Sequence, residues 1–405
     1  MASNLKSFRV SWRAHLLGAA IVATAIAPSM GGERVLHTFQ GGSDGVAPRG
    51  SLIMDKTGSL FGITAGGGGE TGCGDSAGCG TVFQIAPDRA ETVLHAFAGG
   101  CDGADPITGL AMDNTGNMYG TTIDGGICNS AGFGTIYKLA PGGAESVLYA
   151  FQNDQYGDEP SSGVIIDSKG NLYGEAGGGN PAGCVSGCGL VFELAPEGGM
   201  NVLYAFQGGS DGFGPSGGLI MDGMGDLYGT TERGGGTGCD GFGCGTVFKI
   251  APDGTETVIY AFQGGTDGSL PQNGVVADGA GNLYGTTAAD GAVFKVMPDG
   301  TETLLHSFQG GKDGDDPASG VVLDKAGSLY GTTYYGGAAG CQAKGCGVVY
   351  EISPKGKETV LYGFRGSHGK NPWAGLLVGA HDNLYGTTLL GGKGGHGVVF
   401  ELKPK

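Results

Sequence analysis

Residues 218–231 read GLIMDGMGDLYGTT, and residues 245–262 read GTVFKIAPDGTETVIYAF. The two stretches hold four short apolar runs, each rich in Val, Ile, Leu, Tyr or Phe and separated by glycine and aspartate. Runs of this length and composition, bounded by turn residues, are typical of β-strands. Four such strands joined in sequence predict one antiparallel sheet.

The same unit recurs seven times along the chain, at intervals of 46 to 58 residues. A period near 50 with four strands per unit predicts a β-propeller, and a β-solenoid is the weaker alternative because its coils usually carry shorter repeats. We therefore predict an all-β, seven-bladed propeller with four-stranded blades. The central glycines of the repeated LYGTT motif and its variants are Gly62, Gly120, Gly174, Gly229, Gly285, Gly331 and Gly386.

The two ends of the chain predict how the ring closes. ERVLHTF (33–39) is a lone fourth run, and GVVFELKP (397–404) is a lone third run. If the N-terminal strand 33–39 completes the last blade, no strand edge stays unpaired. We assign 26–405 to a single propeller whose repeat units lie at about 50–97, 109–151, 163–206, 218–262, 274–308, 320–364 and 375–404 plus 33–39.

Composition excludes two other classes of protein. Glycine supplies 90 of 405 residues, but it follows no three-residue period, which excludes a collagen. Hydrophobic residues make up 40 % of the chain, which is too many for a disordered protein. The glycines instead lie between the apolar runs, where tight turns require positive φ.

Residues 1–25 have the pattern of a secretory signal peptide. Lys6, Arg9 and Arg13 precede an apolar run over 16–27, and Ala-Thr-Ala at 23–25 provides a cleavage signal. The alternative is a retained anchor, although the run is short for a membrane span. We expect an extracellular or periplasmic protein, monomeric, with no transmembrane segment in the mature chain.

The charge of the chain argues against two kinds of partner. The net charge is −17, and removal of the three basic residues at the N-terminus makes it −20. A surface this acidic repels nucleic acids and anionic membranes. We therefore expect neither as a partner.

Ten cysteines in an exported chain favour disulfide bonds. Zinc is the alternative, but no close pair is accompanied by a second pair or by histidines at ligand spacing. Two cysteines stand alone, on loops that should share one face of blade 2. The expected bridges are Cys73–Cys79, Cys101–Cys128, Cys184–Cys188, Cys239–Cys244 and Cys341–Cys346.

The repeated motif G-L-x-x-D-x-x-G-N-L-Y-G-T-T, followed by G-T-V-F-K-I-A-P-D-G and E-T-V-L-Y-A-F-Q-G-G-x-D-G-x-x-P, resembles the GloVer tandem repeat of exported bacterial proteins. The resemblance covers nearly the whole chain after the leader, and it implies export and a repeat fold but no catalytic residues. Some members carry C-terminal anchors; here the last strand ends close to Lys405, so we expect no anchor. The first two strands of each unit are also loosely similar to NHL-type blades.

One aspartate recurs in the loops that enter the blades, each time followed by glycine and a nearby proline. An Asx-type turn explains a single aspartate per loop. Calcium is the alternative, but it prefers six to eight oxygen ligands. We expect no cofactor or other metal. The aspartates are Asp44, Asp102, Asp211, Asp267 and Asp313.

The long loops should gather on one face, where the mouth of the central channel is the default binding site. Seven residues should ring this mouth: Arg49, Thr108, Ser162, Gly217, Asn273, Ser319 and Ala374. Aromatic residues nearby predict a surface for stacking sugar rings, although they could equally cover loop backbone. The candidate ligand-binding residues are Trp373, Tyr334, Tyr335, Arg49, Gln272 and Asn273, with Phe213 and Phe242 as further aromatic residues of that surface.

Three functions fit this pattern. The leading hypothesis is a non-enzymatic binding or scaffold propeller for a glycan or a cell-surface partner. The alternatives are a channel-mouth enzyme, such as a lyase, lactonase or glycan-active hydrolase, and a purely structural envelope protein. Propellers perform all three roles, so the fold does not choose between them. Only Arg49 is charged among the predicted mouth residues, which weighs against an enzyme.

Overall fold

The computed structural model describes residues 32–69, 73, 78–128, 132–179, 184, 187–337, 341 and 344–404. The predicted signal peptide lies outside these residues. Within them the chain forms seven antiparallel sheets and no α-helix, so the predicted seven-bladed propeller is confirmed. No helix among the described residues is long and apolar enough to cross a membrane.

The strands follow one another in the predicted order, from the inner strand of each blade to its outer strand. In blades 1 to 3 the inner strand consists of two short segments. The strands are β1 (Glu33–Thr38), β2 (Val46–Pro48), β3 (Ile53–Met54), β4 (Leu60–Gly66), β5 (Thr81–Ile85), β6 (Glu91–Ala96), β7 (Ala104–Pro106), β8 (Ala111–Met112), β9 (Met118–Asp124), β10 (Thr135–Leu139), β11 (Glu145–Ala150), β12 (Asp158–Pro160), β13 (Ile165–Ile166), β14 (Leu172–Gly177), β15 (Leu190–Leu194), β16 (Met200–Ala205), β17 (Phe213–Met221), β18 (Leu227–Arg233), β19 (Thr246–Ile250), β20 (Glu256–Ala261), β21 (Val275–Ala277), β22 (Leu283–Thr287), β23 (Ala292–Val296), β24 (Glu302–Ser307), β25 (Val322–Leu323), β26 (Leu329–Thr333), β27 (Val348–Ile352), β28 (Glu358–Gly363), β29 (Leu377–Val378), β30 (Leu384–Thr388) and β31 (Val398–Leu402).

Each blade is a run of consecutive strands, except the last. Blades 1 to 6 are β2–β6, β7–β11, β12–β16, β17–β20, β21–β24 and β25–β28. Blade 7 combines β29–β31 with β1, which pairs antiparallel with β31 from Glu33 opposite Leu402 to Thr38 opposite Val398. The N-terminal strand therefore closes the ring, as the sequence predicts.

Neighbouring blades are joined by a repeated pair of aromatic rings. The phenylalanine that follows the outer strand of one blade packs edge-on against a ring on the third strand of the next, with centroids 4.9–5.8 Å apart. The pairs Phe39–Phe83 and Phe364–Phe400 join the closing blade to its two neighbours. A Cβ on Gly62 would lie 2.6 Å from the Phe83 ring, so the LYGTT glycine makes room for this ring.

The proline-containing loops form a second connection between blades. In the loop that enters each blade, the residue before the proline has a φ of 38° to 67°. These residues are Ala47, Asp105, Glu159, Gly214, Leu270, Asp316 and Asn371. This left-handed conformation costs about 1–2 kcal/mol for a residue with a side chain. It points the backbone N–H at the preceding blade, where that of Asp105 donates to Cys79 and that of Asn371 to Cys346, at 3.0 and 2.8 Å. The interblade hydrogen bond offsets the strain.

All five predicted disulfide bonds are confirmed. Cys101 and Cys128, whose Cα atoms are 4.3 Å apart, connect the loop that enters blade 2 with the long loop of the same blade. The other four bridges each close a small ring within one long loop. The bridges therefore hold glycine-rich loops on the face where the candidate site lies.

Candidate functional site at the mouth of the central channel

Two sets of loops meet on one face of the propeller, which we call the loop face. It consists of the loops that enter the blades, such as 39–45, and the loops that join second to third strands, such as 67–80. In blade 1 the amide of Gly68 donates to the carbonyl of Gly42 at 2.9 Å, and equivalent bonds join Gly126 to Gly100, Gly235 to Gly209, Gly337 to Gly311 and Gly392 to Gly366. The loop face is thus a connected layer above the strands.

A cavity of about 400 Å³ lies at the centre of the ring and is lined by the innermost segment of each of the seven blades. It includes each of the predicted mouth residues, from Arg49 in blade 1 to Ala374 in blade 7, together with Trp373. Arg49 is the one charged side chain among the described residues that line it. The seven residues predicted to ring the channel therefore line one central cavity.

Most polar groups of the cavity wall already have protein partners. The Thr108 hydroxyl lies 3.2 Å from that of Thr121, and the Ser319 hydroxyl lies 3.0 Å from that of Thr332. Asn273, predicted to contact a ligand, donates from its amide nitrogen to the Thr286 hydroxyl and the Pro317 carbonyl. Asn273 therefore connects blades 5 and 6. The Arg49 guanidinium lies 3.8 Å from the Asp105 carboxylate but is 38 % exposed, so Arg49 and the exposed Trp373 are the side chains best placed to meet a ligand.

The predicted aromatic residues of blades 6 and 7 form a rigid platform beside the cavity. Trp373 is 46 % exposed and meets Tyr334 edge-on, with centroids 5.6 Å apart. Tyr334 in turn meets Tyr335 edge-on at 4.7 Å, and the Lys344 ammonium lies 4.6 Å from the centroid of the Tyr335 ring. The Asn371 amide donates to the Tyr334 carbonyl at 2.9 Å and fixes the base of the platform.

Other predicted aromatic and polar residues lie apart from this platform. Gln272 is absent from the cavity lining, and its side chain lies beside that of Glu232 instead. Phe213 and Phe242 line a different cleft, between the loops of blades 3 and 4. The aromatic surface predicted from the sequence is therefore divided into two separate sites.

The recurring loop aspartates organise the boundaries between blades. Each accepts a hydrogen bond from the backbone amide four residues earlier, at 2.5–2.8 Å, so the aspartate does organise the loop, but through an upstream amide and not through the amide two residues on that defines an Asx-turn. Each also faces a His or Tyr of the preceding outer strand; Asp44, for example, lies 3.0 Å from the His37 imidazole. The sequence predicted a turn at the aspartate, and it missed that the aspartate contacts a ring of the preceding outer strand.

A glutamate from the next outer strand completes each of these interblade clusters. Burial and the adjacent aspartate raise the pKa of five such residues to about 7: Glu91, Glu145, Glu256, Glu302 and Glu358. One oxygen of each glutamate is buried without a hydrogen-bond partner among the described residues. The signal in the sequence was the Glu that begins nearly every ETVLYAF motif.

Three of the clusters have a composition that suits a metal ion: His37–Asp44–Glu91, His95–Asp102–Glu145 and His306–Asp313–Glu358. Equivalent clusters place Tyr204 against Asp211 and Tyr260 against Asp267, in the same position as the imidazoles. Because a tyrosine hydroxyl replaces the imidazole with the same contacts, the arrangement favours a hydrogen-bonding role.

The sequence matches the model of a known protein family. The model described as the Gloeobacter/Verrucomicrobia repeat matches residues 70–292 and 287–405. The chain belongs to this family. The GloVer resemblance inferred from the LYGTT and ETVLYAF motifs is therefore confirmed. A search of curated proteins finds no match to the chain.

This Gloeobacter/Verrucomicrobia repeat protein is also similar to solved propeller structures. A virginiamycin B lyase from Staphylococcus aureus matches with a TM-score of 0.60 at 12 % identity, covering 92 % of this chain and 99 % of the lyase. A streptogramin B lyase matches with a TM-score of 0.61 at 11 % identity, covering 92 % of this chain and 97 % of that chain. At such identities the similarity shows a shared fold, and it assigns no activity to this protein.

Proposed function

We propose that this protein is an exported, non-enzymatic propeller that binds a glycan at the mouth of its central channel. The observation that carries the proposal is the exposed Trp373, held at the cavity rim by edge-on contacts through Tyr334 to Tyr335. A fixed, exposed indole presents an apolar face to a sugar ring, and it loses little conformational entropy on binding. The Arg49 guanidinium in the adjacent blade offers hydrogen-bond donors to hydroxyl groups.

The composition of the cavity supports binding over catalysis. General acid–base chemistry needs a His, Glu or Asp within hydrogen-bond reach of the substrate. None of these lines the cavity among the described residues. Glu175, the carboxyl group buried behind the cavity wall, has 0 % exposed surface.

Export is supported by the five disulfide bonds, which persist in oxidising compartments. A net charge of −17 opposes binding to nucleic acids, so a saccharide or a surface protein is the better partner. Each blade ends in an outer strand of six residues, so the edges left for pairing between copies are short, which supports a monomer.

A glycan array on the folded full chain, with and without calcium, tests the proposal and identifies the ligand. Trp12→Phe leaves Trp373 as the single tryptophan, so addition of a ligand should then change the fluorescence of Trp373. Trp373→Ala should weaken binding at least tenfold and leave the thermal midpoint unchanged. Met224→Ala, an exposed apolar side chain in a hairpin turn of blade 4 that lines neither cavity, is the control and should leave the affinity unchanged. Equal affinity of the Trp373→Ala variant for the array ligand contradicts the site.

A further inference from the structure

A second cleft of about 420 Å³ lies on the loop face between blades 3 and 4. Its lining includes Phe213, Arg233 and Phe242, the Cys184–Cys188 bridge and the backbone of several glycines. The channel-mouth residues Arg49 and Trp373 do not line it. The cleft is therefore a separate place on the molecule, and it does not depend on the function proposed for the channel mouth.

Two phenylalanine rings in this cleft are exposed to solvent although neighbouring loops hold them in place. Phe242 is 68 % exposed and Phe213 is 37 % exposed. Phe242 lies inside the small ring closed by the Cys239–Cys244 bridge, and its carbonyl accepts a 2.9 Å hydrogen bond from Gly234. Exposing fixed aromatic rings forgoes the free energy of their burial, which a ligand would recover.

An arginine lies between the two rings. Arg233 is the cross-strand partner of Phe213, so the two side chains project on the same side of the sheet. The Arg233 guanidinium also lies 5.6 Å from the centroid of the Phe242 ring. The three side chains thus present two apolar ring faces and a planar set of donors to the same space.

The surroundings of Arg233 leave its guanidinium available to a ligand. Among the described residues, no carboxylate lies within ion-pair distance of Arg233. The adjacent Glu232 interacts electrostatically with Arg233, but not at ion-pair distance, and its side chain also lies beside that of Gln272. A guanidinium without a close ion-pair partner among the described residues, at an aromatic cleft of an acidic protein, is suited to a carboxylate ligand, which it binds through two parallel hydrogen bonds.

We propose that this cleft binds an acidic sugar, a uronate residue of a polysaccharide. The apolar face of the sugar ring stacks on Phe242 and Phe213, and the uronate carboxylate accepts hydrogen bonds from Arg233. The acidic surface elsewhere disfavours a polyanion that lacks these specific contacts. Specificity therefore comes from the ring faces and the guanidinium together.

Calorimetric titration of the full chain with tetragalacturonate tests the proposal, with its fully methyl-esterified form as the matched neutral probe. We expect binding of the acid and at least tenfold weaker binding of the ester. Arg233→Gln and Phe242→Ala should each weaken binding at least tenfold. Arg233→Lys should give an intermediate affinity, because an ammonium keeps the charge but loses the planar pair of donors.

Two controls separate the specific site from general attraction and from the channel mouth. Arg365→Gln removes an exposed cation elsewhere on the loop face and should leave the affinity unchanged. Trp373→Ala separates this site from the channel mouth, because loss of tetragalacturonate binding in that variant would place the uronate at the channel mouth and overturn the proposal. The proposal is overturned if tetragalacturonate does not bind at 10 mM, if the ester binds equally, or if Arg365→Gln weakens binding as much as Arg233→Gln. Thermal midpoints confirm that each variant is folded.

Discussion

The backbone amide of Gly218 in blade 4 donates a 3.0 Å hydrogen bond to the carboxyl group of Glu175 in blade 3. The equivalent position is Ile63 in blade 1 and a threonine in the other five blades, and Thr121 and Thr286 each donate to a carbonyl of the next blade at 3.0 Å. Glu175 is fully buried, and its second oxygen has no partner among the described residues. Burial raises the pKa of Glu175 to about 7.

Glu175→Gln should stabilise the protein in alkaline solution. The folded-state pKa lies above the unfolded value of 4.5, so the stability associated with protonated Glu175 is present below pH 4.5 and is lost as pH rises through 7. We expect the free energy of unfolding of the variant to be about 3 kcal/mol higher than that of the wild type at pH 8, and the two values to be equal near pH 4.5. Urea denaturation at both pH values measures this, with the exposed Glu197→Gln as control. Equal stability of wild type and Glu175→Gln at pH 8 contradicts the assignment.

The interblade clusters predict that the wild-type thermal midpoint rises as pH falls from 8 to 5. The five glutamates with a pKa of about 7 bind protons in the folded state that they release in the unfolded state. Below pH 4 the trend should reverse, because hydrogen bonds lower the pKa of hairpin aspartates such as Asp55 and Asp278. Measuring the thermal midpoint as a function of pH tests both the rise and the reversal. A thermal midpoint that falls continuously as the pH is lowered from 8 to 5 would contradict the prediction.

One cluster can be tested separately with Asp211→Asn. The substitution removes the negative charge beside Glu256, so the pKa of Glu256 should fall and the pH dependence should become shallower. The exposed Asp382→Asn is the control and should leave the profile unchanged. An unchanged slope in Asp211→Asn argues against coupling between the two carboxyl groups.

Phe39→Ala should destabilise the protein by about 3–5 kcal/mol, since it removes a fully buried ring that joins the closing strand to blade 1. Phe262→Ala, the equivalent change between blades 4 and 5, is the internal standard. Chemical denaturation should show a similar decrease in the free energy of unfolding for both variants. A much smaller loss for Phe39→Ala would mean that the N-terminal strand adds little to closure. Deletion of 33–39 should expose the edge of β31 and cause aggregation.

Replacing both Cys101 and Cys128 by serine should lower the free energy of unfolding by about 3.5 kcal/mol, because this bridge closes a long loop. The same change at Cys239 and Cys244 should cost about 2 kcal/mol, since the loop there is much shorter. Thermal denaturation of the two double variants compares these losses. Non-reducing peptide mapping checks the pairing directly, and a free thiol at either Cys101 or Cys128 would refute it.

The sequence alone determined the number of blades, the strand order and the closure of the ring. These follow from local patterns that recur seven times, such as LYGTT with its hairpin aspartate, and from the split of the last unit between ERVLHTF and GVVFELKP. Even the bridge between Cys101 and Cys128 could be predicted, because strand order alone places their two loops on one face.

Tertiary structure decided which residues meet across blade boundaries. Glu91 begins an outer strand and Asp44 lies in a distant loop, and only the packing of blades brings the two carboxyl groups together and raises the pKa of the glutamate. The same packing directs the Asn273 side chain into the wall of the central cavity, and it places Phe242 in a different cleft from Trp373. A repeat pattern specifies contacts within one unit, whereas the site depends on side-chain directions and loop conformations that neighbouring units impose on one another.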